Sequence, residues 1–262
     1  MLMEETRKII ADFTVVENRR LTDRFTLLTF NGSVPEGIRP GQFVQVRVDG
    51  SASTFLRRPI SINDANAATG SLTLLVRRAG DGSNRLCDLP LGARVNMILP
   101  LGNGFTLPEN PAKSCLLVGG GVGVAPLYML GKEIKARGGR PTFLLAARTR
   151  EELLLVDRFA SVGDVLTITD DGSDGEKGFA HNHSALAGER RWDMVYCCGP
   201  APMMKGVARA ARNSGSECEV SLENMMACGL GACLCCVENT VKGNVCVCTE
   251  GPVFNINQLN WE

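Results

Sequence analysis

The sequence predicts three consecutive units: an antiparallel β-barrel, a parallel-sheet α/β unit and a small cysteine-rich C-terminal unit. Three observations carry this. Residues from about 8 to 105 form short apolar segments parted by Gly, Pro, Asn and Asp, the pattern of a barrel or sandwich. From Lys113 onward, strand-like runs alternate with helical spacings, as βαβ units round a parallel sheet require. Six of the 11 cysteines then fall between Cys228 and Cys248. The unit boundaries expected are 1–107, 108–220 and 221–262.

In the first unit, Phe25–Phe30, Gln42–Val48 and Ser71–Val76 read as strands. In the second, Ser114–Val118 is a buried-strand run that ends in glycines, and Pro126–Lys135 has helical apolar spacing. Phe143–Ala147 is a second strand and Glu151–Phe159 a second helix. Val165–Ile168 and Met194–Cys197 continue the strands, and Met203–Arg212 is a further helix.

Composition narrows the function. Apolar content is 44%, ordinary for a soluble globular chain of 262 residues. The 28 basic and 28 acidic residues cancel, which gives no electrostatic case for nucleic acid or an anionic membrane surface. The longest apolar run, Cys115–Leu130, is broken by four glycines and Pro126, so no membrane span is expected. Met1–Arg7 lacks an apolar core after its charges, so no secretory leader is expected and the cytoplasm is the default.

Cys228, Cys233 and Cys236 stand at C-x4-C-x2-C spacing, which plant-type 2Fe–2S proteins use to wrap a loop round the cluster. Glycines between the first two let the backbone approach the sulfides. A zinc site is the main rival, but it usually shows two short knuckles far apart. Structural disulfides would need an oxidising compartment. Cys235 competes with Cys236 for the third position, and spacing favours Cys236. Cys246 and Cys248 compete for the fourth. They alternate along a strand-like run and should face one side. Cys248 follows Cys236 by only 12 positions, nearer than in plant ferredoxins, and spacing does not decide between the two.

Other motifs are candidates for binding anions. Arg57-Arg58-Pro59-Ile60-Ser61 offers an arginine fork for phosphate and a hydroxyl for a ring heteroatom. The alternative is a solvated arginine beside an edge-strand proline. Gly80-Asp81-Gly82-Ser83 presents backbone N–H groups, or is a plain hairpin turn. Gly119-Gly120-Gly121-Val122-Gly123 lies between strand and helix, where phosphate binds. No acidic residue is clearly placed for a ribose. Cys198-Gly199-Pro200 follows the last strand of the α/β unit, where such sheets hold ligands. Cys198 is either a site residue or a buried small thiol.

In order, R-P-x-S-I, the G-x-G-S turn, P-L-G-N-G-F at 100–105, G-G-G-x-G-x-A-P, C-G-P-x-P-M and the terminal cysteines resemble the ferredoxin–NADP reductase superfamily along the whole chain. Within it, Cys228-Gly229-Leu230-Gly231-Ala232-Cys233 and Cys248-Thr249-Glu250-Gly251-Pro252-Val253-Phe254 resemble the electron-transfer subunits of NAD-using dihydroorotate dehydrogenases. The resemblance implies a flavin-binding barrel, a nucleotide-binding α/β domain and a small C-terminal 2Fe–2S domain.

It implies FAD at Arg58, Pro59, Ile60 and Ser61, at Leu75, Val76 and Arg77, and at Gly82 with Ser83, which replaces the usual threonine. It implies NAD(H) at Gly119, Gly120, Gly121, Gly123, Gly199 and Pro200, with Cys198 near the nicotinamide. It names Cys248 as the fourth ligand beside Cys228, Cys233 and Cys236. Cys235 and Cys246 depart from the pattern.

Arg148 and Arg150 follow the second strand of the α/β unit and lean towards NADPH; the resemblance favours NADH. The implied partner is an FMN-containing dihydroorotate dehydrogenase catalytic subunit, in a heterotetramer of two of each, serving de novo pyrimidine (UMP) synthesis. Related ferredoxin:NADP reductase, sulfide dehydrogenase or sulfhydrogenase subunits are the nearest alternative. A zinc-stabilised interaction module is the alternative of a different class.

Overall fold

A computed structural model describes residues 7–188 and 191–261. Most of the segment on which the leader expectation rests, Met1–Thr6, lies outside the described residues. Six strands close an antiparallel barrel in the order β1-β2-β5-β4-β3-β6, as the sequence predicts. They are β1 (Ile9–Arg20), β2 (Phe25–Asn31), β3 (Phe43–Val46), β4 (Arg58–Asn66), β5 (Ser71–Arg77) and β6 (Arg94–Leu101). A short helix, α1 (Asp81–Cys87), lies between the last two. The period of two puts Val44 and Val46 of β3 among Phe13, Phe30, Leu74 and Met97 in the barrel interior. Phe43, on the opposite face, joins a different core with Cys236 and Cys248.

The second unit contains β7 (Cys115–Gly120), α2 (Ala125–Ala136), β8 (Pro141–Ala147), α3 (Val156–Ala160), β9 (Asp164–Thr169), β10 (Glu176–Lys177), α4 (Ser184–Ala187), β11 (Met194–Cys198), α5 (Ala201–Ser214) and β12 (Glu217–Ser221). Its strands are parallel, and β7, β8 and β11 are buried on both faces, which explains why these read as continuous apolar runs rather than alternations. Leu116 and Val118 of β7 face one core, while Cys115 and Leu117 face the other.

The expected helix over 151–159 is not continuous. A 3-10 turn at Arg150–Glu152 precedes α3, and Leu155 between them has φ 57°. Three successive leucines cannot share one helical face, and Leu154 turns into the core at 3% exposure.

The C-terminal unit adds a two-stranded ribbon, β13 (Val237–Thr240) and β14 (Gly243–Cys246), then α6 (Val247–Glu250) and β15 (Val253–Asn255). The last strand does not stay in its own unit. It joins the large sheet antiparallel to β12, with Phe254 opposite Val220, giving the order β10-β9-β8-β7-β11-β12-β15. Asn103 clasps the same unit to the barrel: its Nδ2 donates to Thr249 O at 3.0 Å and Glu250 O at 2.9 Å. P-L-G-N-G-F is therefore a structural clip. Among the described residues no helix is long and apolar enough to cross a membrane.

Candidate redox site

Strand order in the large sheet reverses at β7: β8 and β9 lie on one side, β11 and β12 on the other. Ligands bind outside the carboxyl ends of strands at such a point. The turns that meet there are Gly119–Gly123 and Cys198–Pro200. A Cβ on Gly123 would stand 2.3 Å from Cys198 O and 2.6 Å from Gly199 Cα. One on Gly120 would strike Met203 Sδ at 2.5 Å. Gly123 makes room for the protein's own second turn and Gly120 for Met203 of α5, while Gly121 has nothing within 4 Å and faces open space.

A cleft of about 390 Å3 opens here, walled by Arg77 from the barrel, Gly121, Arg148, Asp170, Phe179 and Glu223. A larger cavity of about 620 Å3 lies between α5 and Leu186–Gly188. It is away from the strand ends, and we take the smaller, strand-end cleft as the ligand site. Asp170, at the end of β9, is the acidic residue the sequence did not place. Arg150 leaves this wall, with its Nε 3.6 Å from Asp174.

Cys198 is 1% exposed, and its thiol donates to Glu223 Oε1 at 3.9 Å. Burial, then the facing Glu223 carboxylate, pushes the Cys198 thiol well above the ordinary value. It is a neutral donor rather than a thiolate. Glu223 is exposed, yet the concave wall packed round it still desolvates its carboxyl and raises it, against the pull of Arg77. Sequence reasoning missed Glu223. Its signal was an acid two residues past the end of a buried strand.

The two adjacent arginines of the barrel motif separate cleanly. Arg57 is tied to the barrel, donating to Asn96 Oδ1 at 2.6 Å, Asn96 O at 3.0 Å and Gln45 O at 3.3 Å. Arg58 donates to Leu56 O at 3.0 Å and Arg57 O at 3.3 Å, its own sequence neighbours. Its Nε lies against Gly82, where a Cβ would come within 2.7 Å. Two separately predicted residues, Arg58 and Gly82, are thus in contact.

The glycine turn is the start of α1 rather than a hairpin. Ser83 Oγ accepts from Ala79 N at 2.9 Å and Gly80 N at 3.1 Å. Hydroxyls of Ser51, Ser53 and Thr54 hold the Asp81 carboxyl down at about 2, which anchors the 51–57 loop. Along β5, Val76 points into the barrel core and Leu75 into the core beneath the α/β unit. Ser61 and Ile60 are half-buried on β4, opposite Phe43 and Val44.

The cysteine loop is built round backbone donors. Leu230 N donates to Cys228 Sγ at 3.3 Å, Gly231 N to Cys248 Sγ at 3.1 Å and Cys248 N to Cys236 Sγ at 3.4 Å. The Leu230 N–H leads in pulling the Cys228 thiol down to about 6. Burial leads in pushing Cys248, 2% exposed, up to about 12. Cys233 neighbours Cys228, and Cys236 neighbours both Cys248 and Cys246.

Among the described residues no three His, Cys, Asp or Glu side chains gather as a single ion needs. Thiols grouped round Cys228 with Cys233, and round Cys236 with Cys248 and Cys246, suit a two-iron centre, in which each iron takes two thiolates. The residues present fit a 2Fe–2S cluster, and iron would displace the protons that burial retains.

Cys246 and Cys248 do not share a strand face. β14 ends at Cys246, and after one more ladder bond from Val247 N to Cys236 O at 3.0 Å the chain turns into α6, closed by Gly251 N donating to Val247 O at 3.0 Å. Cys248 is buried and Cys246 half-buried, with its thiol 4.0 Å from Gly231 O. Cys235 is exposed.

Sequence reasoning also missed Gln45. It is 0% exposed, and its Oε1 and Nε2 have no partner in the protein. Each such atom left unpaired costs about 1–3 kcal/mol.

Barrel, switch-point cleft and paired-thiol loop, in this order, define a ferredoxin-reductase-type electron-transfer protein. The family model described as "Iron-sulfur cluster binding domain of dihydroorotate dehydrogenase B" matches residues 223–260, and "Oxidoreductase NAD-binding domain" matches residues 117–209. The chain is 38% identical over 251 residues to the "Dihydroorotate dehydrogenase B (NAD(+)), electron transfer subunit" of Geobacillus kaustophilus (strain HTA426), covering 94% of this chain and 96% of that one. It is 36% identical over 260 residues to the protein of the same name from Fusobacterium nucleatum, covering 97% and 99%.

A solved structure described as "Insights into flavin-based electron bifurcation via the NADH-dependent reduced ferredoxin-NADP oxidoreductase structure" superposes with TM-score 0.86 at 30% identity, covering 96% of this chain and 90% of that one. The chain belongs to the family of dihydroorotate dehydrogenase B (NAD(+)) electron transfer subunits. The related-reductase alternative is not favoured, since these subunits are the more similar.

Proposed function

We propose that this chain passes electrons between NAD(H) at the cleft, FAD on the barrel and a 2Fe–2S cluster in the cysteine loop, to or from the FMN of a dihydroorotate dehydrogenase catalytic subunit. The setting is de novo UMP synthesis, in a cytoplasmic heterotetramer of two of each chain. One observation carries the reading. Strand β3 pairs with the flavin strand β4 through Gln45↔Pro59 and Phe43↔Ser61, while Phe43 packs in one core with Cys236 and Cys248. Flavin strand and cluster loop are therefore a single strand apart.

Bound FAD supplies the exchange between a hydride pair and single electrons, and the cluster supplies a one-electron relay. The chain's own residues supply position. Arg58 and Gly82 cradle the pyrophosphate, and Pro59, Ile60, Ser61 and the Leu75–Arg77 backbone line the flavin, with Ser83 closing the turn. Gly119, Gly120 and Gly123 shape the nucleotide turn, while Gly121, Gly199 and Pro200 face the nucleotide. The neutral Cys198 thiol stands beside the nicotinamide. Cys228, Cys233, Cys236 and Cys248 ligate iron. Asp170 in the cleft wall repels a 2′-phosphate and Arg150 is drawn off by Asp174, while Arg148 in the same wall would attract one; the NAD(+) in the name of the family tips the reading to NADH.

Purified chain should carry FAD, and Arg58→Ala should lose it while keeping wild-type circular dichroism. Full FAD retention in that variant, or faster flavin reduction by NADPH than NADH, overturns the respective assignment.

A further inference from the structure

Gln45 occupies the strand between the two redox sites. It pairs with Pro59 of β4 on one side and Ile98 of β6 on the other. Its side chain shares the outward face of β3 with Phe43. It packs under the first turn of the thiol loop: a Cβ on Gly229 would lie 2.7 Å from Gln45 Cγ and 2.8 Å from Nε2. Gly229 follows Cys228 directly, so the amide addresses the loop where the ligand sulfurs collect. The neighbouring Arg57 Nη1 reaches the Gln45 backbone carbonyl, at 3.3 Å, and leaves the side chain unpaired. A buried amide with neither atom used is a poor substitute for leucine or methionine, unless something bound here completes it. Sulfides and thiolates are acceptors, and Nε2 is a donor.

We infer that the Gln45 side-chain amide donates from Nε2 to a sulfur of the bound cluster and raises the cluster's electron affinity. The inference rests on the cluster assignment above. Reduction adds negative charge that spreads onto the sulfurs. An N–H aimed at them stabilises the reduced form more than the oxidised one. Gln45 therefore acts as a tuning residue: it biases where an electron rests between flavin and cluster and takes no part in the hydride step.

The test uses the full chain reconstituted with FAD, iron and sulfide. Iron content and visible absorbance of the wild type check the cluster reading by themselves; a colourless wild type without iron would sink that reading. Gln45→Leu should keep the cluster. Its reduced-to-oxidised ratio at a fixed potential should fall about tenfold, about 59 mV for a one-electron couple. The FAD midpoint should stay where it is. An intact cluster with an unmoved midpoint overturns the inference and leaves the cluster reading standing; an amide bonded to water alone gives that result. If Gln45→Leu does not assemble a cluster, pulsed EPR of the reduced wild type labelled with side-chain 15N-glutamine decides. A glutamine nitrogen coupling supports the inference, and its absence overturns it.

Discussion

Two glycine-rich segments of this molecule look alike in sequence and differ in physical purpose. In Gly119–Gly123 the missing side chains admit the protein's own atoms, Val124 and Leu127 at Gly119, Met203 at Gly120 and the Cys198–Gly199 backbone at Gly123, so the motif is a packing joint with one open face at Gly121. In Cys228–Cys233 the glycines Gly229 and Gly231 hold φ +71° and +82°, and the N–H groups of Leu230 and Gly231 aim at sulfur. The first set of glycines serves shape, and the second serves the direction of backbone dipoles. The same residue type therefore predicts different losses when replaced.

The largest effect belongs to the segment that faces the loop. Cys248→Ser should abolish the cluster's visible absorbance and paramagnetic signal while NADH still reduces FAD. Cys246→Ser should retain both. Iron analysis beside stopped-flow flavin reduction checks this pair. A cluster that survives Cys248→Ser and disappears with Cys246→Ser reverses the fourth ligand.

The two glycine substitutions test the contrast itself. Gly123→Ala should lower thermal stability by about 1–3 kcal/mol, because the methyl meets backbone that cannot move. Gly229→Ala meets Gln45 side-chain atoms at a positive φ. It should lose much of the iron with a smaller shift in Tm. Equal iron loss in both variants would erase the distinction between joint and loop.

The smallest effect is electrostatic. The Glu223 carboxyl is raised in the fold, chiefly by desolvation. The folded state therefore binds a proton more tightly than the unfolded state does. That contribution is fully present below the unfolded carboxyl value and is lost as pH rises through the folded one. Glu223→Gln should flatten the stability profile in that window, measured by urea unfolding across pH 4 to 7. An unchanged profile would mean Arg77 fully offsets the desolvation.

The fold was largely legible because each unit writes its own periodicity: alternation in β3, continuous apolar runs in β7 and β8. The thiol loop was legible from spacing. What was not legible depends on contacts between distant residues. The turn after Val247, whose Thr249 and Glu250 carbonyls are held by the distant Asn103, undid the expected shared face of Cys246 and Cys248. Asp170 and Glu223 reach the cleft through sheet order. Gln45 reads as one polar position in an ordinary strand until Gly229 is seen to rest on it.

The placement of β15 has a consequence for dissecting the chain. It covers the outer edge of β12, a strand whose Cys218 and Val220 are buried. Removing residues 221–262 would leave that edge with unpaired N–H and C=O groups beside apolar side chains, a template for joining other copies. A flavin-and-nucleotide fragment made by cutting before the cysteines should therefore self-associate. Its solubility should return when a charged residue interrupts β12, since the C-terminal segment is also the sheet's protective selvedge.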